Sequence, residues 1–197
     1  MLKYFTEFWC SDDTDPYERI YIQWSLSKFF PAKTMGSHVT NWNKNTSVKF
    51  RTDVCSSCKL GFDIDLKSLS ADDYKFVQQA VKNYNDMKPM ILDGDQYRLV
   101  SPYEGSHCAV NYVSKDKQRA VLFAYDLHPR YKEPQQNVKL QGLNPAKVYT
   151  VKETNLMPGK TSELECDGKQ YSGDYLMKVG LSVFTPQDGT SHVLIFE

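Results

Sequence analysis

The stretch WCSDDTDPYERIYIQW, residues 9–24, sets Asp12, Asp13 and Asp15 directly ahead of an aromatic-rich amphipathic run. Carboxylates in that position support two kinds of chemistry. At a helix start they cap free backbone N–H groups and favour the positive end of the helix dipole. Asp15 suits that role, because Pro16 follows at the first helical position and Glu18 at the capping-box position. In an acid–base site, clustered carboxylates repel one another, so one of them keeps its proton to higher pH. A carboxylic acid still protonated near neutrality is what a glycosidase uses to protonate a leaving oxygen. Asp12 falls after a strand and before the next helix, where barrel enzymes place catalytic groups. Trp9, just upstream, offers either a flat surface for a sugar ring or a core residue of the strand, and spacing alone does not choose.

The elements that must position these residues alternate over residues 1 to about 88. YFTEFW (4–9) reads as an aromatic strand, and Tyr17, Ile20, Tyr21 and Trp24 then make one apolar helical face. Phe29-Phe30-Pro31 ends that helix, since the residue before proline resists the α conformation. MGSHVT (35–40) and LGFDIDL (60–66) are short strands. Ser70 caps a second long helix with Phe76, Val77, Ala80, Val81, Tyr84 and Met87 on its buried side, and Pro89 closes it. Strand–helix alternation of this kind implies right-handed crossovers and a parallel sheet or barrel. After residue 90 the period changes to two in QYRLVS, HCAVNYVS, AVLFAYDL, NVKLQGL, KVYTVKE, YLMKV and SHVLIFE, separated by turn signals such as PYEG, LNPAK and PQDG. That pattern predicts an antiparallel β-sandwich of about seven or eight strands. The expected class is therefore α/β followed by all-β, with domains at 1–88 and 89–197.

Composition narrows the partners. The 197 residues are 41% hydrophobic and 13% aromatic, which predicts a folded chain. Tyr is the most frequent ring, 13 copies beside 10 Phe and 3 Trp, and suits carbohydrate faces and β-sheet surfaces alike. Lys plus Arg equals Asp plus Glu at 24 each, without long single-sign runs, which argues against nucleic acid and anionic membrane as main partners. Of five cysteines only Cys55 and Cys58 lie close together, and CSSC without a second pair is a poor zinc site; buried thiols in a reducing compartment are expected. His107, His128 and His192 show no metal-ligand spacing, and neither metal nor cofactor is expected. His38 is read either as lining a pocket floor or as a structural histidine beneath it. No apolar run reaches the roughly 18 residues of a membrane span, and MLKYFTEFWCSDD lacks the apolar core of a signal peptide, so a cytoplasmic location is expected.

WCSDDTDPYERIYIQWSLSKFFPAKTMGSHV resembles the segment running W-x-S-D-[DN]-T-D, E-R, I-Q, S, P and H-V in the α-galactosidases of glycoside hydrolase family thirty-six. The resemblance continues through RTDV (51–54), LGFDIDL, YRLVSP (97–102) and SGDYLMKVGL (172–181), nearly the whole chain in collinear order. It implies a large enzyme with an N-terminal β-supersandwich, a central (β/α)8 barrel and a C-terminal β-sandwich. Its implied activity is retaining, exo-acting removal of terminal α-linked galactose from oligosaccharides such as raffinose and melibiose. Under the resemblance Asp12 is the acid/base, Trp9 lines the galactose pocket, and Asp13, Thr14 and Asp15 support and cap the loop. The present residues correspond to the last barrel strands and helices and the C-terminal sandwich.

A retaining glycosidase also needs a second carboxylate roughly 5 Å from the first. The family's nucleophile lies in a Lys-Trp-Asp stretch, and a Cys-Ser-Gly-Gly stretch lines its galactose site; neither occurs here. Both are expected upstream, which makes the chain a C-terminal fragment without turnover of its own, because each half of the double displacement needs both groups. Asp63, Asp65, Asp93 and Asp95 are not placed by any motif. TNWNKN from Thr40 and CSSCK at 55–59 depart from the family pattern at its pocket-rim and assembly contacts. Expected partners are α-galactoside oligosaccharides and further copies of the chain. The rival reading is a non-catalytic carbohydrate-binding or oligomerisation module that exposes Tyr103, Tyr125 or Tyr131.

Overall fold

The computed structural model describes residues 5–42, 45–133 and 136–197. Strands β1 (Phe8–Trp9), β2 (Met35–Thr40) and β3 (Lys59–Asp63) lie parallel in that order. Helix α1 (Pro16–Leu26) joins the first pair, α2 (Val48–Ser56) the second, and α3 (Ala71–Asp93) follows β3. Local chemistry sets the helix starts. Asp15 accepts from the N–H groups of Tyr17 and Glu18 at 3.0 and 3.3 Å, and Pro16 opens the helix. The reciprocal bond of a capping box comes from Asp13 and not Glu18: the Asp15 N–H donates to Asp13 Oδ1 at 2.9 Å. Ser47 and Ser70 cap α2 and α3 in the same way.

Several sequence expectations change here. The first strand shrinks to two residues, and Tyr4 of the predicted YFTEFW lies outside the described residues, as do Asn43 and Lys44 of TNWNKN. The sequence reading contained no helix over 48–56; α2 is buried from Val48 and Phe50 through Ser56, so it shows no polar face to reveal a helical period. LGFDIDL stops pairing at Asp63, because Asp65 turns its side chain to the Lys67 N–H and caps a short 3-10 turn. Pro89 does not close the second long helix, which runs on to Asp93, and Val81 is 37% exposed on it. Gly94 ends it instead: a Cβ there would stand 2.3 Å from the Met90 carbonyl oxygen and 2.5 Å from that of Val113. The expected boundary at 88/89 thus falls inside α3.

The second half forms one six-stranded antiparallel sheet from β4 (Asp95–Val100), β5 (His107–Val113), β6 (Ala120–Asp126), β7 (Val148–Thr154), β8 (Gln170–Ser172) and β9 (Thr190–Phe196), in the order β4-β5-β6-β9-β7-β8. Two predicted strands are absent. YLMKV belongs to helix α4 (Gly173–Lys178), capped by the Ser172 hydroxyl, and NVKLQGL contributes only the bridge Val138↔Leu181. The sheet is covered on both faces. Val110, Tyr112, Phe123, Tyr125 and Val193 pack against Ile20, Trp24, Phe50 and Met87 of the helices. Their alternating neighbours Ala109, Leu122, Ala124, Leu194 and Phe196 pack against Leu140, Leu164, Leu176, Leu181 and Phe184. Helices, sheet and a layer of loops with α4 therefore stack, in place of the two facing sheets of the expected sandwich. Tyr125 is buried in this arrangement and belongs to no exposed aromatic patch, whereas Tyr103 and Tyr131 are exposed.

Two buried carboxylates stitch the layers. Asp53 of α2 takes Lys49 Nζ at 2.5 Å and Ser191 Oγ at 2.7 Å on one oxygen, and Asn155 Nδ2 at 2.7 Å on the other. Asn155 sits in the left-handed region at φ 55° and accepts from Asn83 of α3. Glu153 of β7 meets His192 Nδ1 at 2.6 Å and accepts from the Ser162 hydroxyl. Burial pushes Glu153 up, but the bonds from His192 and Ser162 outweigh it and hold its pKa below the ordinary glutamate range.

Asp53→Ala would strand Lys49 in a nearly dry site, and a denaturant melt should show a loss of about 3–5 kcal/mol. Because the folded-state pKa of Glu153 is depressed, its contribution is present above the ordinary value of about 4.3 and is lost as pH falls through the folded value. Melting temperatures scanned from neutral to acid pH should fall less steeply in Glu153→Gln than in the parent. An unchanged slope would remove Glu153 from the acid limb.

Candidate active site

Strand β1 ends at Trp9, and residues 10–15 turn the chain into α1. Trp9 pairs in register with Gly36, and His38 with Gly61. Side chains alternate along a strand, so Trp9, Gly36, His38 and Gly61 share one face. Phe8, Met35, Ser37 and Val39 take the other, where Ser37 donates to Gln23 Oε1 of α1 at 2.6 Å. The shared face is half open, and Gly61 leaves room for the His38 ring, while a side chain at Gly36 would make only an ordinary contact with Trp9. A Cβ on Gly36 would stand 3.6 Å from Trp9 Cε3, and one on Gly61 only 2.2 Å from His38 Cδ2. The Trp9 and His38 rings meet at 4.6 Å between centroids, tilted by 58°.

The indole N–H of Trp9 donates to Asp12 Oδ1 at 2.9 Å. Asp12 is exposed and Trp9 is 42% exposed, so the ring is both a wall of the open face and the holder of the carboxylate. The neighbouring aspartates are engaged elsewhere. Asp15 caps α1, and Asp13 accepts from the Asp15 N–H while its own N–H donates to Ser11 Oγ at 3.1 Å. Thr14 is buried, its hydroxyl 2.8 Å from that of Thr40 at the end of β2. Anchored on both sides, the loop presents Asp12 alone. One oxygen is oriented by a neutral donor and the other is available to exchange a proton with a bound group.

Arg19 is the residue that sequence reasoning missed. It is fully buried, donates through Nη1 to the Ser11 carbonyl at 3.3 Å and through Nη2 to the Gly36 carbonyl at 3.0 Å, and lies over the Trp9 ring at 5.7 Å. Its Nε has no partner. An arginine one turn into a helix reads as a solvated charge, so nothing in the pattern announced it. Gly61 did carry a signal, since a glycine inside a strand marks a close approach, here that of His38.

Most of the remaining titratable candidates are occupied elsewhere. Asp65 caps its turn, Asp95 pairs with Lys115, Asp93 lies 3.9 Å from Lys33, and Asp63 ends β3 exposed. His107, His128 and His192 face Asp126, Asp188 and Glu153 respectively, and among the described residues no group of three or more potential ligands could hold a metal ion. All five cysteines are free; Cys55, now in the last turn of α2, and Cys58, Cys108 and Cys166 are buried, while Cys10 is half-buried. Burial pushes the Cys10 thiol up, with Arg19 partly opposing it.

Residues 1–94 match the family described as Melibiase, and residues 107–196 match the Glycosyl hydrolase family 36 C-terminal domain. Over its whole length the chain is 30% identical to the probable alpha-galactosidase G of Aspergillus terreus, covering 26% of that protein. It is 28% identical to alpha-galactosidase AgaA of Geobacillus stearothermophilus, over 93% of this chain and 24% of the relative. Among solved structures, the GH36 alpha-galactosidase AgaB from Geobacillus stearothermophilus superposes with a TM-score of 0.87 at 28% identity, over all of this chain and 26% of that one. A variant of AgaA in complex with raffinose superposes with a TM-score of 0.82 at 26% identity, over 95% of this chain and 25% of that one. The chain thus spans about a quarter of the length of the relatives it matches.

The thiols give a direct check on the loop. At pH 8 an alkylating reagent should label Cys10 before the other four cysteines, and more slowly than a free thiol, because a raised pKa leaves less thiolate. The rate should climb about tenfold per pH unit until the thiol ionises. Equal labelling of several cysteines, read by mass spectrometry, would contradict the packing around Arg19 and Trp9.

Proposed function

The chain belongs to glycoside hydrolase family 36, and from that premise we propose that it supplies the acid/base half of a retaining α-galactosidase, with Asp12 as acid/base and Trp9 as its holder and a wall of the sugar site. The observation that carries the reading is the Trp9–Asp12 bond at 2.9 Å, made at the C-terminal end of a parallel strand by an exposed carboxylate whose neighbours cap backbone. In this reading β1–β3 and α1–α3 are the last strand–helix units of a (β/α)8 barrel, whose active face lies at the C-terminal ends of its strands. The six-stranded layer is the C-terminal domain that backs those helices.

The chemistry follows from the two-carboxylate logic of retaining enzymes. In the first half a nucleophilic carboxylate attacks the anomeric carbon while Asp12 gives its proton to the departing glycosidic oxygen. In the second half Asp12 takes a proton from water, which displaces the carboxylate and restores both groups. With Oδ1 held by the indole, the proton travels through Oδ2. No Lys-Trp-Asp stretch occurs in the sequence, so the nucleophile is assigned to residues outside it. The substrates proposed are terminal α-galactosides of the raffinose type, supported by the raffinose complex of the AgaA variant.

The purified chain should leave an activated aryl α-galactoside intact, and turnover should appear only when the rest of the barrel is supplied. In that assembled enzyme Asp12→Asn should lower kcat on raffinose about 10²–10⁴-fold. It should lower kcat/KM on the aryl galactoside less, because a good leaving group departs without a proton. Turnover by the chain alone, lost in Asp12→Asn, would place a second working carboxylate within these residues and overturn the division of labour.

A further inference from the structure

We infer that His38 is a positioning residue for Asp12, acting through Trp9; the inference rests on the reading of Asp12 as the acid/base. His38 and Gly61 are register partners on adjacent parallel strands, and the imidazole occupies the space that a side chain at 61 would need. A Cβ on Gly61 would stand 2.2 Å from His38 Cδ2 and 2.4 Å from Nε2. The imidazole therefore cannot retreat toward β3 when anything presses on it. What presses on it is the indole of Trp9, 4.6 Å away between centroids.

The rest of the indole's surroundings show why that contact matters. Its register partner is Gly36, which has no side chain to stop the ring from sliding along the sheet. Arg19 borders it at 5.7 Å, tied to the carbonyls of Ser11 and Gly36. Indole orientation is thus set by a fixed guanidinium and by an imidazole backed on bare backbone. The direction of the indole N–H in turn sets Asp12 Oδ1. Removing the imidazole opens a ring-sized space into which Trp9 swings, and the carboxylate then rotates freely on the exposed loop. A misplacement of about 1 Å is enough to cost acid–base catalysis on the order of 10²-fold.

The chain has three tryptophans, so 15N-labelled protein gives three indole N–H signals, and Trp9→Phe identifies the one of interest. Asp12→Asn changes the acceptor of that N–H and should move the signal. His38→Ala should move the Trp9 signal and abolish its response to Asp12→Asn, His38→Phe should restore both with a ring of similar breadth, and Gly61→Ala should move the signal by pushing the imidazole. The Trp24 and Trp42 signals should stay in place and report an intact fold. A Trp9 signal that responds to Asp12→Asn in folded His38→Ala as it does in the parent would overturn the inference. Should that variant unfold, an unmoved signal in Gly61→Ala would overturn it equally. The two readings fail separately. If Asp12→Asn leaves the assembled enzyme fully active while the indole signals behave as described, the acid/base assignment falls and the packing stands. If Asp12→Asn is inactive and the His38 variants leave Trp9 untouched, the positioning role falls alone.

Discussion

Asp53 has no contact with solvent, and a carboxylate in that position obliges every element within reach to satisfy it. Lys49 comes from its own helix one turn earlier, Ser191 from β9, and Asn155 from the chain just past β7, which holds a left-handed backbone conformation to deliver its amide. A buried ion pair of this kind adds little net stability over an apolar substitute, since desolvation offsets most of the attraction. Its effect is on specificity. Apolar contacts between α2 and the sheet would tolerate a sliding of one layer over the other, but the hydrogen bonds that Asp53 accepts from Ser191 and Asn155 on two other elements do not.

That fixed docking reaches the candidate site through α2. Arg51, two residues before Asp53 in the same helix, donates to the Thr40 carbonyl at the end of β2, and the Thr40 hydroxyl meets that of Thr14 in the loop carrying Asp12. On the other side Gln23 of α1 donates to the Val54 carbonyl and to Ser57 while accepting from Ser37 of β2. The parallel strands are short, and two of them lie at the edges of a three-stranded sheet, so their own ladder would hold them weakly. The antiparallel sheet that backs the helices supplies the missing rigidity. A scaffold of this type keeps a loop residue such as Asp12 in one place without burying it.

What the sequence disclosed was mainly local. Asp15 before Pro16 and Ser70 before an acidic first turn act within a few residues, and each was readable as a cap. What stayed hidden depended on neighbours distant in the chain. Helix α2 shows no apolar stripe because α1, α3, β2, β3 and β9 all pack on it, and its polar Arg51, Thr52, Asp53 and Ser56 are buried with the rest. YLMKV alternates like a strand but follows Ser172, whose hydroxyl turns it into a helix. Pro89 sits inside a helix long enough to carry one missing hydrogen bond. AVLFAYD reads as a sandwich strand because a run of uniformly apolar residues says that both faces are covered without saying by what; here one cover is helical. The same limit applies at the site. The sequence put Trp9 beside Asp12, but not the bond between them, nor the buried arginine beneath.

The position of that arginine bears on the proposed role of Asp12, in which a single carboxylate both gives and takes a proton. An acid/base has to exist in two protonation states during one cycle, and a guanidinium paired directly with a carboxylate favours the ionised state strongly. Arg19 is instead turned onto two backbone carbonyls, and the indole stands between its guanidinium and Asp12. The donor that orients Asp12 is therefore neutral, while the cation fixes the loop and the ring from below. An aspartate held by a lysine at this point would be better anchored and worse as an acid. Orientation by an aromatic N–H separates the two demands, and it makes the packing of that ring, against His38 on one side and Arg19 beneath, a matter of chemistry as well as of fold.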